Sequence, residues 1–154
     1  MNALDYAEAL ARVIKASSRV ELIVRREYEK SITAFVGTAQ DRQDWQAATP
    51  YAGVTAFSSR ERSDLIASEV TLELGLYDES VDRANGIARL HAYDVFKELI
   101  PAIVRDLKEQ VLSLTTTAYL DEMRVEFSQA DFPLVTATVT FDIEETIPVG
   151  RWLR

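Results

Sequence analysis

Three segments of this chain alternate strictly between apolar and polar residues, and that pattern constrains the fold more than any other feature. Val70, Leu72, Leu74 and Leu76 alternate with Glu69, Thr71, Glu73 and Gly75. Met123, Val125 and Phe127 alternate with Glu122, Arg124 and Glu126. Val135, Ala137, Val139, Phe141 and Ile143 alternate with Thr136, Thr138, Thr140, Asp142 and Glu144. A period of two places the apolar set on one side of a strand and the polar set on the other. Strands with one apolar face belong to a sheet covered on one side only, which predicts a mainly antiparallel sheet. Residues 128–133 make a hairpin-length connection, so the last two strands are expected to be antiparallel neighbours.

The remaining elements are read around these strands. Leu4, Ala7, Leu10, Ala11 and Ile14 recur at helical spacing, and Asn2 with Asp5 suits the start of a helix over residues 2–17. Residues 20–26 fit either a continuation of the helix or a strand, and their β-branched side chains favour extended structure. Residues 32–36 form a short strand ended by Gly37, a polar surface loop or exposed short helix covers 38–49, and Pro50 opens a strand over 51–57. A charged turn follows at 58–64. A long helix is expected over 81–111, with Ala84, Ile87, Ala88, His91, Val95, Leu99, Ile103 and Leu107 as its apolar stripe. Pro101 should kink that helix or restart it. The predicted fold is α+β, an open, mainly antiparallel sheet of about four to five strands. The N-terminal helix and the long, Pro-kinked helix pack on one face. Residues 1–148 form one domain and 149–154 a tail suited to partner contact.

Composition removes much catalytic chemistry. The 154 residues contain no cysteine and a single histidine, so thiolate sites, disulfides and two-histidine metal sites are excluded. Five glycines and four prolines are too few for a glycine-rich phosphate loop. The net charge of −8 argues against general nucleic-acid binding, which relies on Lys and Arg releasing counterions. The first eight residues lack a basic region and an apolar run, and no stretch is long and apolar enough for a membrane span. The expectation is therefore a chain that stays in the cytoplasm where it is made, or leaves as part of a virion, with no membrane contact.

His91 is the one candidate general base, but no nucleophile motif accompanies it, and a structural histidine is the simpler reading. Asp142 and Glu144 share a strand face and offer oxygen ligands, without the spacing or glycine turn of a calcium loop. No catalytic residue, metal site or cofactor is assigned, and the chain is read as a non-enzyme. The polar strand faces are more informative: Glu122, Glu126, Asp142 and Glu144 make an acidic face suited to a channel wall. Trp45 in the polar loop, Arg60 and Arg62 in the charged turn, and Arg151, Trp152 and Leu153 in the tail are candidate interface residues.

The order of parts resembles a known family. A helical N-terminus leads to Pro50-Tyr51 and a strand, a charged hairpin loop, and the run from Val70 to Asp78 before a long helix. Met123 to Phe127, an Asp131-Phe132-Pro133 turn and Val135 to Ile143 complete it. Over residues 2–146 this layout resembles the tail terminator proteins of long-tailed bacteriophages. These are small α/β proteins that form a hexameric ring on the tail tube and join it to the head connector. The resemblance implies a structural virion protein of the tail, assembled in the host cytoplasm. Its partners would be copies of itself, the tail tube protein and the head-completion or connector protein, with no specific nucleic-acid binding. A related neck or tail-completion protein, or a small non-enzymatic adaptor, is the alternative.

Overall fold

A computed structural model describes residues 1–37 and 48–147. Helix α1 (Ala3–Ala16) begins with a capping box: the Asn2 side chain accepts from the Asp5 backbone N–H, and the Asp5 carboxylate accepts from the Asn2 N–H. Tyr6, Leu10 and Ile14 bury its inner stripe. Helix α2 (Ser18–Tyr28) follows at once. Its residues 20–26 are helical where sequence reading expected extended chain. Three observations account for the difference. The Ser17 hydroxyl caps the new helix by accepting from the Val20 N–H at 3.2 Å, Val20, Ile23 and Val24 bury one helical stripe, and Arg25 pairs with Glu21 one turn away. Helical period outweighs the β-branched content.

Five strands form the main sheet: β1 (Thr33–Val36), β2 (Tyr51–Glu61), β3 (Leu65–Tyr77), β6 (Ala118–Ser128) and β7 (Leu134–Thr146). Their spatial order is β1-β2-β3-β7-β6. Only β1 and β2 run parallel; every other neighbour is antiparallel. The α+β class and the antiparallel β6–β7 pair agree with the alternation. The turn expected over 58–64 is shorter, because β2 continues to Glu61 and only residues 62–64 turn.

The long helix expected over 81–111 does not form as one element. Its first third is a hairpin, β4 (Val81–Ala84) and β5 (Ile87–Leu90), and α3 begins only at His91 and ends at Asp106. Asn85 (φ 55°) and Gly86 (φ 77°) turn the hairpin in the left-handed region that Asn-Gly pairs favour, and Ala84 pairs with Ile87 across them. Pro101 lies inside α3 on its exposed side, so no new helix starts there. Beyond Asp106 the chain widens into a π-type turn, Leu107–Val111, then a short 3-10 turn, Leu112–Leu114.

The three helices among the described residues lie on one side of the sheet, where Tyr6, Leu10, Phe96, Leu99, Leu72 and Phe141 meet in the core. Asp106 ties the helices together. Its carboxylate is 1% exposed; it accepts from the Ser17 hydroxyl and from Arg19 Nη1 at 2.7 Å. The same serine that caps α2 therefore also clamps the end of α3.

Candidate functional site

The register of the sheet defines its open face row by row. Glu69 lies beside Asp142, and Asp142 beside Glu122. In the next rows Thr71, Thr140 and Arg124 align, then Glu73, Thr138 and Glu126. Glu122, Glu126, Asp142 and Glu144 thus share one face, as their strand positions imply. Glu69 and Glu73 join them; the same alternation in β3 marked these two, but only strand order reveals them as neighbours. Arg124 reaches Glu69 at 3.4 Å, and Tyr119 donates to Glu144. Arg60 shares this face and lines a shallow polar cleft with Glu69, Asp121, Asp142 and Glu144. Arg62 is exposed in the β2–β3 turn, where its backbone N–H donates to Leu65 O at 2.7 Å. Carboxylates outnumber guanidinium groups across the face, so it repels anions. Asp142 and Glu144 do not converge with a third metal-ligating group among the described residues.

The second surface is the β6 edge. Among the described residues strand β6 is outermost in the sheet, is eleven residues long and has no strand on its far side. Its helix-side residues are only partly covered by α3: Met123 is 40% and Phe127 53% exposed. A shallow apolar groove runs between the two elements. Tyr93, Phe96, Ile100 and Pro101 form its helix wall, with Val125 and Phe127 opposite. Tyr93 and Phe96 hold the Phe127 ring at centroid distances of 5.7 and 5.9 Å. A long edge with apolar flanks is a template for strand addition. The sequence marks this strand as one-faced but carries no signal of its edge position.

The third feature is His91, at the first position of α3. Its Nδ1 lies 2.6 Å from Asp82 Oδ2 on β4 and its Nε2 2.7 Å from Glu27 Oε2 on α2. The surrounding charges alternate: Arg26 contacts Glu27 and Glu98, and Arg89 contacts Asp94. Asp82, His91 and Asp94 are close enough to share a cation. However, Arg89 already neutralises Asp94, and both imidazole nitrogens face carboxylates, so the arrangement is an ion-pair centre joining α2, the β4–β5 hairpin and α3. A ring held on both sides offers no free nitrogen to a substrate. The sequence placed His91 in the middle of a helical stripe; the structure puts it at a helix start, half-buried and doubly bonded.

Hydrogen bonding to Asp82, then to Glu27, raises the His91 pKa above its ordinary value despite the opposing effect of burial. Asp82 and Glu27 are correspondingly held below the usual carboxylate range, Asp82 chiefly by its bond to His91. A raised histidine pKa contributes stability that is complete below the unfolded value of about 6.5 and is lost as pH rises through the folded value. The lowered carboxylates act oppositely, withdrawing their contribution as pH falls through their folded values. Thermal melts are therefore expected to show a stability decline above about pH 6.5 that His91→Gln removes. An unchanged alkaline limb in that variant would show that the clamp carries no charge.

Trp45, in the segment 38–47, and Arg151, Trp152 and Leu153, in the segment 148–154, lie outside the described residues. No helix among the described residues is long and apolar enough to cross a membrane. The chain matches no protein-family model and no curated protein sequence.

Proposed function

We propose that this chain is a structural protein of a phage tail: a terminator that caps the tail tube, ends its polymerisation and presents a new face to the head connector. The observation that carries the reading is the one-sided sheet. Helices fill one side; the other presents threonines and carboxylates along β3, β7 and β6, while Phe35, Tyr51 and Leu134 pack together at its β1–β2 end. Such a wall suits the bore of a ring, because its negative charge repels DNA phosphates and lets a genome pass without adhering. The order of elements over residues 2–146, which resembles the tail terminators, supports the same conclusion. Its partners on this reading are further copies in a ring of about six, the tail tube protein and the head-completion protein. The chain acts through shape and surface, without turnover, as part of the virion tail.

The test is co-expression with the tail tube protein of the phage that carries it, followed by electron microscopy of the tubes. Rings at one tube end and a narrowed length distribution are expected. Tubes of unaltered length with uncapped ends, in the presence of excess folded protein, would sink the reading.

A further inference from the structure

We infer that the β6 edge is a self-association surface, on which a second copy of this chain pairs its own β6 antiparallel about a two-fold axis through Val125. The inference does not rest on the tail-terminator reading; it follows from the pattern of side chains along one uncovered strand.

In an antiparallel pair, opposite residues project to the same side, so a symmetric pairing must set helix-side residues against helix-side residues. A pairing centred on Val125 places Arg124 opposite the second copy's Glu126, and Glu126 opposite its Arg124. On the helix side it sets Met123 against Phe127 in both directions, and Val125 against itself. Every opposed pair near the axis is complementary in charge or apolarity. The neighbouring symmetric registers are not. Centring on Arg124 opposes the two arginines and sets Glu122 against Glu126. Centring on Met123 sets Val125 against Asp121, at the point where the β6–β7 register shifts between Leu120 and Glu122. Of these three registers, the one centred on Val125 is the self-complementary one.

The exposures agree with an unmet partner. Met123 and Phe127 are among the exposed large hydrophobic residues, and Arg124 is 56% exposed, with Glu69 at 3.4 Å its ion-pair partner among the described residues. Over 122–128 the strand has no proline, no lysine and no inward charge, and its charged residues, Glu122, Arg124 and Glu126, carry both signs. Pairing would join the two five-stranded sheets edge to edge and bring the two apolar grooves together on the helix side. Lys97 and Lys108 on the groove walls belong to the helix layer, where salt screens their repulsion across the axis. An isologous contact of this kind cannot by itself close a ring. It holds the free protein in pairs and covers the edge strand.

The test uses the full chain. Sedimentation velocity across the micromolar range is expected to show a monomer–dimer equilibrium. Arg124→Glu and Glu126→Arg are each expected to raise the dimer Kd at least about tenfold, because each opposes like charges twice across the axis. The double exchange Arg124→Glu/Glu126→Arg restores the pairing to within about threefold. Because the chain has no cysteine, Val125→Cys supplies a second readout. The two introduced thiols would face each other at a spacing a disulfide can bridge, so mild oxidation should give a covalent dimer. Unchanged melting curves for the charge variants would confirm that folding is not at issue. Three outcomes would overturn the inference: a monomer at every concentration, its edge then free for a strand from another protein; a dimer indifferent to both single reversals; or a dimer that Val125→Cys fails to crosslink. Tube capping by a strictly monomeric protein would sink this inference and leave the terminator reading standing. A crosslinked dimer without effect on tubes would do the reverse.

Discussion

Asp106→Ala is expected to lower the unfolding free energy by about 3 kcal/mol, since a hydrogen bond to a charged group such as this buried carboxylate carries about 1.5–3 kcal/mol. Asp106 is 1% exposed near the end of α3, and its oxygens take the Ser17 hydroxyl and the Arg19 guanidinium. Removing it leaves the hydroxyl buried without its acceptor and releases Arg19, whose other partner is the exposed Glu109 at 3.1 Å. The melting temperature should fall by roughly 6–12 °C for a domain of this size. Asp106→Asn keeps the shape and should cost less. Replacing the group as a unit, Arg19→Met with Asp106→Leu, should recover part of the loss, because an apolar replacement of a buried pair needs no desolvation. Chemical denaturation of the single and combined variants measures this directly. Equal loss in Asp106→Ala and the combined variant would show that packing, not charge, dominates at the junction.

Gly75→Ala is expected to cost about 2–3 kcal/mol through overpacking. A Cβ at position 75 would lie 2.1 Å from Tyr51 Cε2 and 2.2 Å from its Cζ, well inside contact distance. The obstructing ring cannot swing away freely: Tyr51 is 1% exposed, packs on Phe35 at a centroid distance of 5.8 Å and donates to Glu73 at 2.9 Å. Burial, then the neighbouring Glu73 charge, raises its phenol pKa, so the hydroxyl stays a donor throughout the accessible pH range. Tyr51→Ala would remove the obstruction, so Gly75→Ala should cost much less in that background. An additive double mutant would exclude the clash as the cause.

The parts of the fold legible in the sequence are those with a strong local period. Strict alternation in β3 and β7 identified both core strands, and Asn2 with Asp5 marked the start of α1. Where two local signals compete, reading residue types alone misleads. In α2 the β-branched residues favoured a strand, yet Val20, Ile23 and Val24 sit at helical spacing behind a serine cap. In the β4–β5 hairpin a helical stripe of small and aliphatic residues ran through Asn85-Gly86, the strongest short hairpin signal in the chain. The acidic face was legible in part, because the period assigns each residue to a side. Neighbour relations across strands were not: Glu69 and Asp142 stand together only because β3 and β7 are adjacent. The His91 centre was illegible for the same reason, its partner Glu27 being 64 residues away.

Strand order also governs how the chain can be made. Strand β7, the last of those described, lies inside the sheet, between β3 and β6, and not at an edge. While the polypeptide emerges from the ribosome, β3 therefore presents an unpaired hydrogen-bonding flank until residues 134–146 have followed it out. The β3–β7 pairing joins segments about 57 to 81 residues apart in the register. Incomplete products that stop before residue 134 would retain that flank and be prone to aggregate, which favours swift completion or chaperone shielding during synthesis.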